Sequence, residues 1–251
     1  MAEQHCVQRT ETFSHALNFT GYMETVLEVL RSGPKGLSLL DLPAGSGRIA
    51  DALRGIGHQV VCGDINGARP DYLYVDMNGR LPFEDARFDG VICLEGLEHA
   101  LDPAGLIGEL ARVCRKGGRI IVSTPNVTNA YSRLQFLFTG TFYQFNPALA
   151  PEASPGERVD RGHISPLTYQ QLRYLFAHHG ARVLEVRGDR YKRKVLFPVY
   201  AVFLGLGRLW TRRLMGAAPE HPARNREIFR HLNSRPLLFS RSQILVLEKI
   251  V

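Results

Sequence analysis

Leu39-Leu40-Asp41-Leu42-Pro43-Ala44-Gly45-Ser46-Gly47-Arg48 decides the fold. The apolar run Leu37 to Leu42 breaks into a proline and two glycines, and Ile49, Ala50, Leu53 and Ile56 then recur at helical spacing up to Gly57. That is a strand, a glycine turn and a helix. Working outward, the rhythm repeats: Gln59 to Cys62 reads as a second strand ending at Asp64, Tyr72 to Val75 as a third ending at Asp76, and Phe88 to Leu94 as a fourth. Asp102-Pro103 supplies an N-cap and a first-turn proline for a helix whose face is Leu106, Leu110 and Val113. Gly117-Gly118 is expected to close it before the strand Arg119 to Val122. Five strands with crossover helices predict an α/β fold with a parallel sheet covered on both faces.

Beyond Thr124-Pro125-Asn126 a segment rich in Phe, Tyr, Pro and Gly runs to about Ser165. A helix then resumes with Thr168 as N-cap and Leu172, Leu175 and Phe176 as its buried face; strands are expected over Ala181 to Val186 and Gln243 to Ile250. With 251 residues, 45% hydrophobic and 22% charged, the chain has the make-up of one globular domain, which excludes disordered and collagen-like classes. No apolar leader precedes Thr20 and no run of 18 apolar residues occurs, so a cytoplasmic protein is expected. Cys6, Cys62, Cys93 and Cys114 are scattered without a C-x-x-C, which argues against structural zinc or a disulfide framework.

Ligands of such sheets sit beyond the carboxyl ends of the strands. The glycine turn, Asp64, Asp76 and Glu95 all follow strand ends and so land on one rim. Gly45 and Gly47 let backbone approach a ligand closely, although Gly45 to Ala50 also satisfies the G-x-G-x-x-G/A dinucleotide pattern. Asp41 discriminates, because its carboxylate would repel a pyrophosphate and favour an ammonium group. Asp64 and Asp76, acceptors only when ionised, suit a ribose diol and an adenine amine. An adenosine joined to a positively charged amino acid fits better than NAD.

At this point the stretch Leu39 to Arg48 resembles motif I of the class I S-adenosylmethionine-dependent methyltransferases, with Pro43 and Ala44 where a glycine and a small residue are usual. Asp64 matches the ribose-binding acid, and Val75-Asp76-Met77 with Leu81-Pro82-Phe83 and Phe88-Asp89 matches the adenine-binding stretch and fourth strand. Glu95-Gly96-Leu97-Glu98-His99 is similar to the E-x-L-E-H segment of ubiquinone-type O-methyltransferases. Thr124-Pro125-Asn126, Arg133 to Gly140 and Gly162 to Thr168 resemble methyltransferases of cell-envelope glycan, lipid or quinone pathways. The resemblance implies a Rossmann-like, seven-stranded, mostly parallel sheet in the order 3-2-1-4-5-7-6 with the last strand antiparallel. It implies an acceptor-covering insertion, placed at 123–165. Length gives one domain over 1–251, and the charge pattern a basic, apolar insertion at 192–240 between strands six and seven. S-adenosyl-L-methionine would bind at Asp41, Ala44, Gly45, Gly47, Asp64, Ile65, Asp76, Met77 and Leu94.

His163 follows strand five in a glycine-flanked loop, and a neutral imidazole there can take the proton of an acceptor hydroxyl. The alternative is a capping or packing role, with catalysis by positioning alone. Glu95, Glu98 and His99, at i, i+3 and i+4, would share a helical face suited to a divalent cation; capping and packing is the reading adopted, and no metal is assigned. From Arg187 to Arg241 thirteen Arg and Lys stand against Asp189, Glu220 and Glu227, a local +10 in a chain of net +7. Within it the apolar run Val195 to Gly207 is either a buried helix or an interfacial one edged by Lys192-Arg193-Lys194, Arg208, Trp210 and Arg212-Arg213. The interfacial reading predicts peripheral association with an anionic membrane, each cation contributing on the order of 1 kcal/mol, and an amphiphilic acceptor. The leading reading is an S-adenosylmethionine-dependent methyltransferase acting on oxygen of a small or lipid-linked acceptor. A cofactor-binding module without catalysis and an RNA methyltransferase are the competitors. Nucleic acid is not the assigned partner, since Cys93-Leu94-Glu95-Gly96 stands where an N-P-P-Y-type motif would follow strand four.

Overall fold

The structure is a computed structural model and describes residues 18–67, 69–145, 162–191, 197–216 and 220–251. Seven strands form one sheet: β1 (Ser38–Asp41), β2 (Gln59–Asp64), β3 (Tyr72–Tyr74), β4 (Phe88–Leu94), β5 (Cys114–Pro125), β6 (Ala181–Gly188) and β7 (Ser242–Lys249). Their order is β3-β2-β1-β4-β5-β7-β6. β7 runs antiparallel to both neighbours, and the ladders joining β3, β2, β1, β4 and β5 are parallel, as the resemblance implies.

Successive side chains of a strand point to opposite faces, and here both faces are apolar. Leu39, Ile92, Ile121, Ile244 and Val246 pack with α1 (Gly21–Arg31) and α2 (Arg48–Gly55). Their strand neighbours Leu40, Val91, Val122, Leu245 and Leu247 pack on the other face with α3 (Pro103–Val113), α5 (Tyr169–His178) and Leu237 of α8 (Arg235–Phe239). Truncating a fully buried leucine such as Leu40 to alanine would cost about 2–5 kcal/mol.

The helix starts follow their local signals. Asp102 accepts the Gly105 N–H at 2.9 Å with Pro103 in the first turn, and Thr168 and Gln171 form a reciprocal capping box. The expected end of α3 is wrong. It stops at Val113, and β5 begins at Cys114, so Gly117-Gly118 lies inside the strand. The β4 ladder shifts register between Phe88↔Cys114 and Gly90↔Arg119, and the intervening residues form an irregularity in which Gly117 takes φ +76°. A side chain at Gly118 would meet the Asp89 carbonyl at 2.7 Å, so the glycines serve the bulge and not a helix cap.

After β5 comes α4 (Ala130–Thr139), capped by Asn129 at its start and by Gly140 in the left-handed conformation at its end. Between β6 and β7 lie α6 (Phe197–Gly216), α7 (Pro222–Leu232) and α8. The run Val195 to Gly207 is not a buried helix: in its described part Tyr200 is buried, whereas Val202, Phe203 and Leu206 are mostly exposed. No helix among the described residues is long and apolar enough to cross a membrane.

Candidate active site

The carboxyl ends of β1 and β2 are joined by main-chain bonds that shape the rim. Ala44 N–H donates to the Gly63 carbonyl at 3.0 Å, Val75 N–H to the Asp64 carbonyl at 3.0 Å, and Leu42 N–H to the Ile92 carbonyl at 2.9 Å. Gly45 and Gly47 adopt φ +54° and +76°, which an L side chain resists. A Cβ on Gly47 would also lie 2.5 Å from Arg69 Nη1 and 2.6 Å from the Tyr72 hydroxyl. The Asp64 carboxylate holds the turn, accepting from Gly45 N–H at 2.8 Å and Asn66 N–H at 2.9 Å.

Asp41 is fully buried, and neither carboxylate oxygen has a hydrogen-bond partner. Burial, reinforced by Asp64 and opposed by Arg54, pushes its carboxyl up to about 8. Such a group is neutral at pH 7 until a cation arrives to pair with it. The remaining expected cofactor residues are on the same rim. Asp76, half-buried, accepts from Asn78 N–H and Nδ2 at 2.9 and 3.1 Å; Ile65 and Met77 are half-buried; Ala44 and Leu94 are buried. This set fits an adenosyl ligand bearing an ammonium: carboxyl groups at the ends of β1, β2 and β3, that of Asp41 ionising as it pairs with the cation, a glycine cradle between them, and apolar side chains beside them.

Two contributors to this rim carry no local sequence signal. Tyr72 donates its hydroxyl to the Gly45 carbonyl at 3.1 Å, and Arg69, over the Tyr72 ring, pairs with Asp51 at 2.6 Å and Asp71 at 3.1 Å.

The other half of the site lies past β4. Glu95 does not share a helical face with Glu98 and His99. Its φ of +49° breaks the spacing, and its carboxylate accepts from Ser123 Oγ at 2.9 Å and lies 3.8 Å from Arg241 Nη1. The turn Leu97–His99 carries only Glu98 and His99, and their partner is His163: one donor atom of each lies within 4.8 Å of the others. Glu98 is fully buried with both carboxylate oxygens lacking a hydrogen-bond partner, and burial, with the nearby Glu95, raises its carboxyl well above the usual range. The Glu98 carbonyl accepts from Ile164 N–H at 2.9 Å and Ser165 N–H at 3.0 Å, which docks the His163 loop onto this turn. His163 Nδ1 lies 2.9 Å from the Gln144 carbonyl, and its ring meets His99 edge to face at 4.9 Å. Tyr22 of α1, also unforeseen, is buried beside this cluster; burial raises its phenol, with Glu95 and Glu98 adding to the effect. The arrangement has the donor types for proton transfer or for holding a divalent cation.

A family model described as a methyltransferase domain matches residues 14–186. Among curated relatives, a ubiquinone biosynthesis O-methyltransferase of Xylella fastidiosa (strain M23) is 28% identical over 171 residues, 62% of this chain and 65% of that protein. A demethylmenaquinone methyltransferase of Clavibacter sepedonicus is 34% identical over 108 residues, 37% of this chain and 44% of that protein. The chain thus spans under two thirds of the length of the curated relatives it matches. A solved S-adenosylmethionine-dependent methyltransferase from Archaeoglobus fulgidus superposes with TM-score 0.53 at 17% identity, covering 90% of this chain and 94% of that one. The sheet order that the sequence implied is the order found, and the family match takes in the glycine turn, the acidic strand ends and the Glu98-His99 turn together; this chain belongs to the class I S-adenosylmethionine-dependent methyltransferase family.

Proposed function

We propose that this chain methylates an oxygen of a small or lipid-linked acceptor of the quinone, glycan or envelope type. The observation that carries the cofactor half is the unpartnered, buried carboxyl of Asp41 beside Gly45 and Gly47. S-adenosylmethionine, when bound, supplies an electrophilic methyl group on a sulfonium sulfur. Asp41 pairs with its ammonium, Asp64 takes the ribose hydroxyls and Asp76 the adenine amine, while Ala44, Ile65, Met77 and Leu94 exclude water around them. In-line displacement is helped mainly by positioning, and a base adds the removal of the acceptor's proton.

His163 is our base. An Nδ1–H donated to the Gln144 carbonyl leaves Nε2 as the basic nitrogen of the neutral ring. Ser165 Oγ donates to the Ala100 carbonyl at 2.8 Å, which helps to fix the loop on which that ring sits. The names of the relatives, ubiquinone and demethylmenaquinone methyltransferases, support a ring-bearing amphiphile. In this reading residues 123–165 cover the acceptor, 192–240 form an insertion at the same rim within a single domain, and the enzyme works in the cytoplasm at the inner face of a membrane. Residues 146–161 lie outside the described part of the chain.

Transfer of labelled methyl from S-adenosylmethionine to hydroxylated quinone precursors and envelope-lipid extracts tests it. Cofactor binding without transfer to any of them would favour a binding module, and transfer to RNA would favour the basic segment as a nucleic-acid surface. A second reading is favoured by the convergence of Glu98, His99 and His163: these three hold a divalent cation that activates the hydroxyl. Activity that survives exhaustive chelation, yet falls in His163→Ala, supports the base.

A further inference from the structure

We infer that α6 is a docking helix that lies in the surface of an anionic bilayer, with its outward apolar rows inserted and the acceptor-side rim turned to the lipid. This rests on the amphiphilic acceptor proposed above and supplies the surface from which it would be drawn. A helix repeats about every 3.6 residues, so positions three and four apart share a face. Tyr200, Leu204, Gly207, Thr211 and Met215 follow that spacing, and all are buried or half-buried. They form the face that α6 turns to the protein: the Met215 carbonyl accepts from Asn225 Nδ2 of α7 at 3.2 Å, and at the edge of this face the Arg208 guanidinium sits 5.8 Å from the centre of the Phe229 ring.

The opposite side of α6 is apolar as well. Val202, Leu206 and Leu209 make one outward row at 65%, 64% and 67% exposure, and Phe203, Trp210 and Leu214 make the adjoining one at 58%, 71% and 60%. A water-facing helix side is normally polar, and an apolar stripe of about three and a half turns marks a contact with something else. Charge selects the occupant. Arg212 flanks the stripe beside Leu209 and Arg213 lies in it near its carboxyl end, both exposed, and α6 contains no acid. Cations beside an apolar stripe, with a tryptophan in it, match a headgroup layer over acyl chains. Lys192, Arg193 and Lys194 lie outside the described residues.

The topology aims this stripe. β6 and β5 are both antiparallel to β7, so β6 ends on the edge where β1, β2 and β4 end, and α6 leaves from there. α4, which follows β5 at this edge, also exposes Leu137 (73%) and Phe138 (81%).

Trp210 is the single tryptophan of the chain and reports insertion without a label. The full chain is mixed with vesicles of phosphatidylcholine alone or of phosphatidylcholine with phosphatidylglycerol; co-sedimentation and Trp210 emission are read at low and high salt. We expect binding and a blue-shifted emission only with phosphatidylglycerol, release by salt, and about 25-fold weaker binding in the Arg212→Gln/Arg213→Gln variant, at about fivefold per cation. Phe203→Ser/Leu206→Ser should abolish binding, with melting temperature and S-adenosylhomocysteine affinity unchanged because both side chains face outward. Equal sedimentation on neutral vesicles, an unshifted Trp210, or a dimer in sedimentation velocity that the Phe203→Ser/Leu206→Ser change dissociates would overturn the proposal, the last by assigning the stripe to a second copy. Methyl transfer is measured separately, so failure to dock and failure to methylate remain distinct.

Discussion

Asp41→Asn should flatten the chain's stability against pH and weaken its grip on the cofactor. The folded Asp41 carboxyl titrates at about 8 against an ordinary 3.8, because it is buried without a partner and faces Asp64. Between those two values the folded chain holds a proton that the unfolded chain has released, so stability from this group is complete below pH 4 and is lost as pH rises toward 8. The loss is about 1.4 kcal/mol per pH unit, or about 2.7 kcal/mol between pH 5 and pH 7. For a chain of this length that corresponds to roughly 5 to 11 °C in melting temperature. Asparagine keeps the shape and cannot ionise, so the variant should lack this slope while retaining those of Glu95 and Glu98, and the difference between the two melting curves isolates Asp41. An ammonium reverses the balance: binding at pH 7 should ionise Asp41 and release close to one proton, seen as a buffer-dependent enthalpy in calorimetry. The variant should release none and bind S-adenosylhomocysteine more weakly by about 1.5–3 kcal/mol, roughly 10- to 150-fold. Parallel melting curves for wild type and variant from pH 5 to 8, or equal affinities, would refute the assignment.

Three further outcomes are expected. Asp64→Ala removes the acceptor for Gly45 N–H and Asn66 N–H along with the proposed ribose contact, and calorimetry should show affinity falling by about 1.5–3 kcal/mol. Gly47→Ala places a Cβ at φ +76° against Arg69 and Tyr72; denaturant titration should show a loss of at least about 1 kcal/mol, and cofactor affinity should fall with it. His163→Ala should lower kcat by about 100-fold or more at unchanged cofactor affinity. An unaltered kcat there would return His163 to packing.

The strands were legible because burial on both faces leaves continuous apolar runs, and the acids at their ends were legible because Asp41, Asp64 and Asp76 stand beside turn residues. The end of α3 misled because glycine marks a left-handed or crowded backbone and does not say which: Gly117 and Gly118 serve a bulge, not a cap. The acceptor side was only half readable. Helical spacing grouped Glu95 with Glu98 and His99, and one left-handed residue, Glu95 itself, cancels that spacing. What joins His163 to His99 is a pair of backbone bonds from Ile164 and Ser165 to Glu98, and main-chain donors leave no trace in residue identity. Tyr22 precedes the first strand, on α1, far in sequence from the residues it lies beside. The apolar run before Arg208 foretold α6 but not its length, since the helix continues through Arg212 and Arg213 to Gly216.

The antiparallel last strand links these two halves. Were β7 parallel, the chain leaving β6 would have to cross to the opposite edge; because β7 runs back, everything between Gly188 and Ser242 starts and finishes at the ligand rim. The return is tightly anchored there. Asn126 Nδ2, just past β5, donates to the Pro236, Leu237 and Ser240 carbonyls at 3.2, 3.0 and 3.3 Å, and Arg241 faces Glu95. Arg187, at the other end, is neutralised by Glu185 at 2.7 Å, with Glu28 3.7 Å away. The ends of the +10 segment are therefore used for holding the fold, and its unspent charge lies in the middle, on and around α6 and α7. Acids concentrate where a cationic methyl donor would bind and cations where an anionic surface would, on two neighbouring parts of one edge. If both assignments hold, phosphatidylglycerol vesicles carrying an acceptor should raise methyl transfer by lowering the apparent KM for that acceptor, with kcat unchanged.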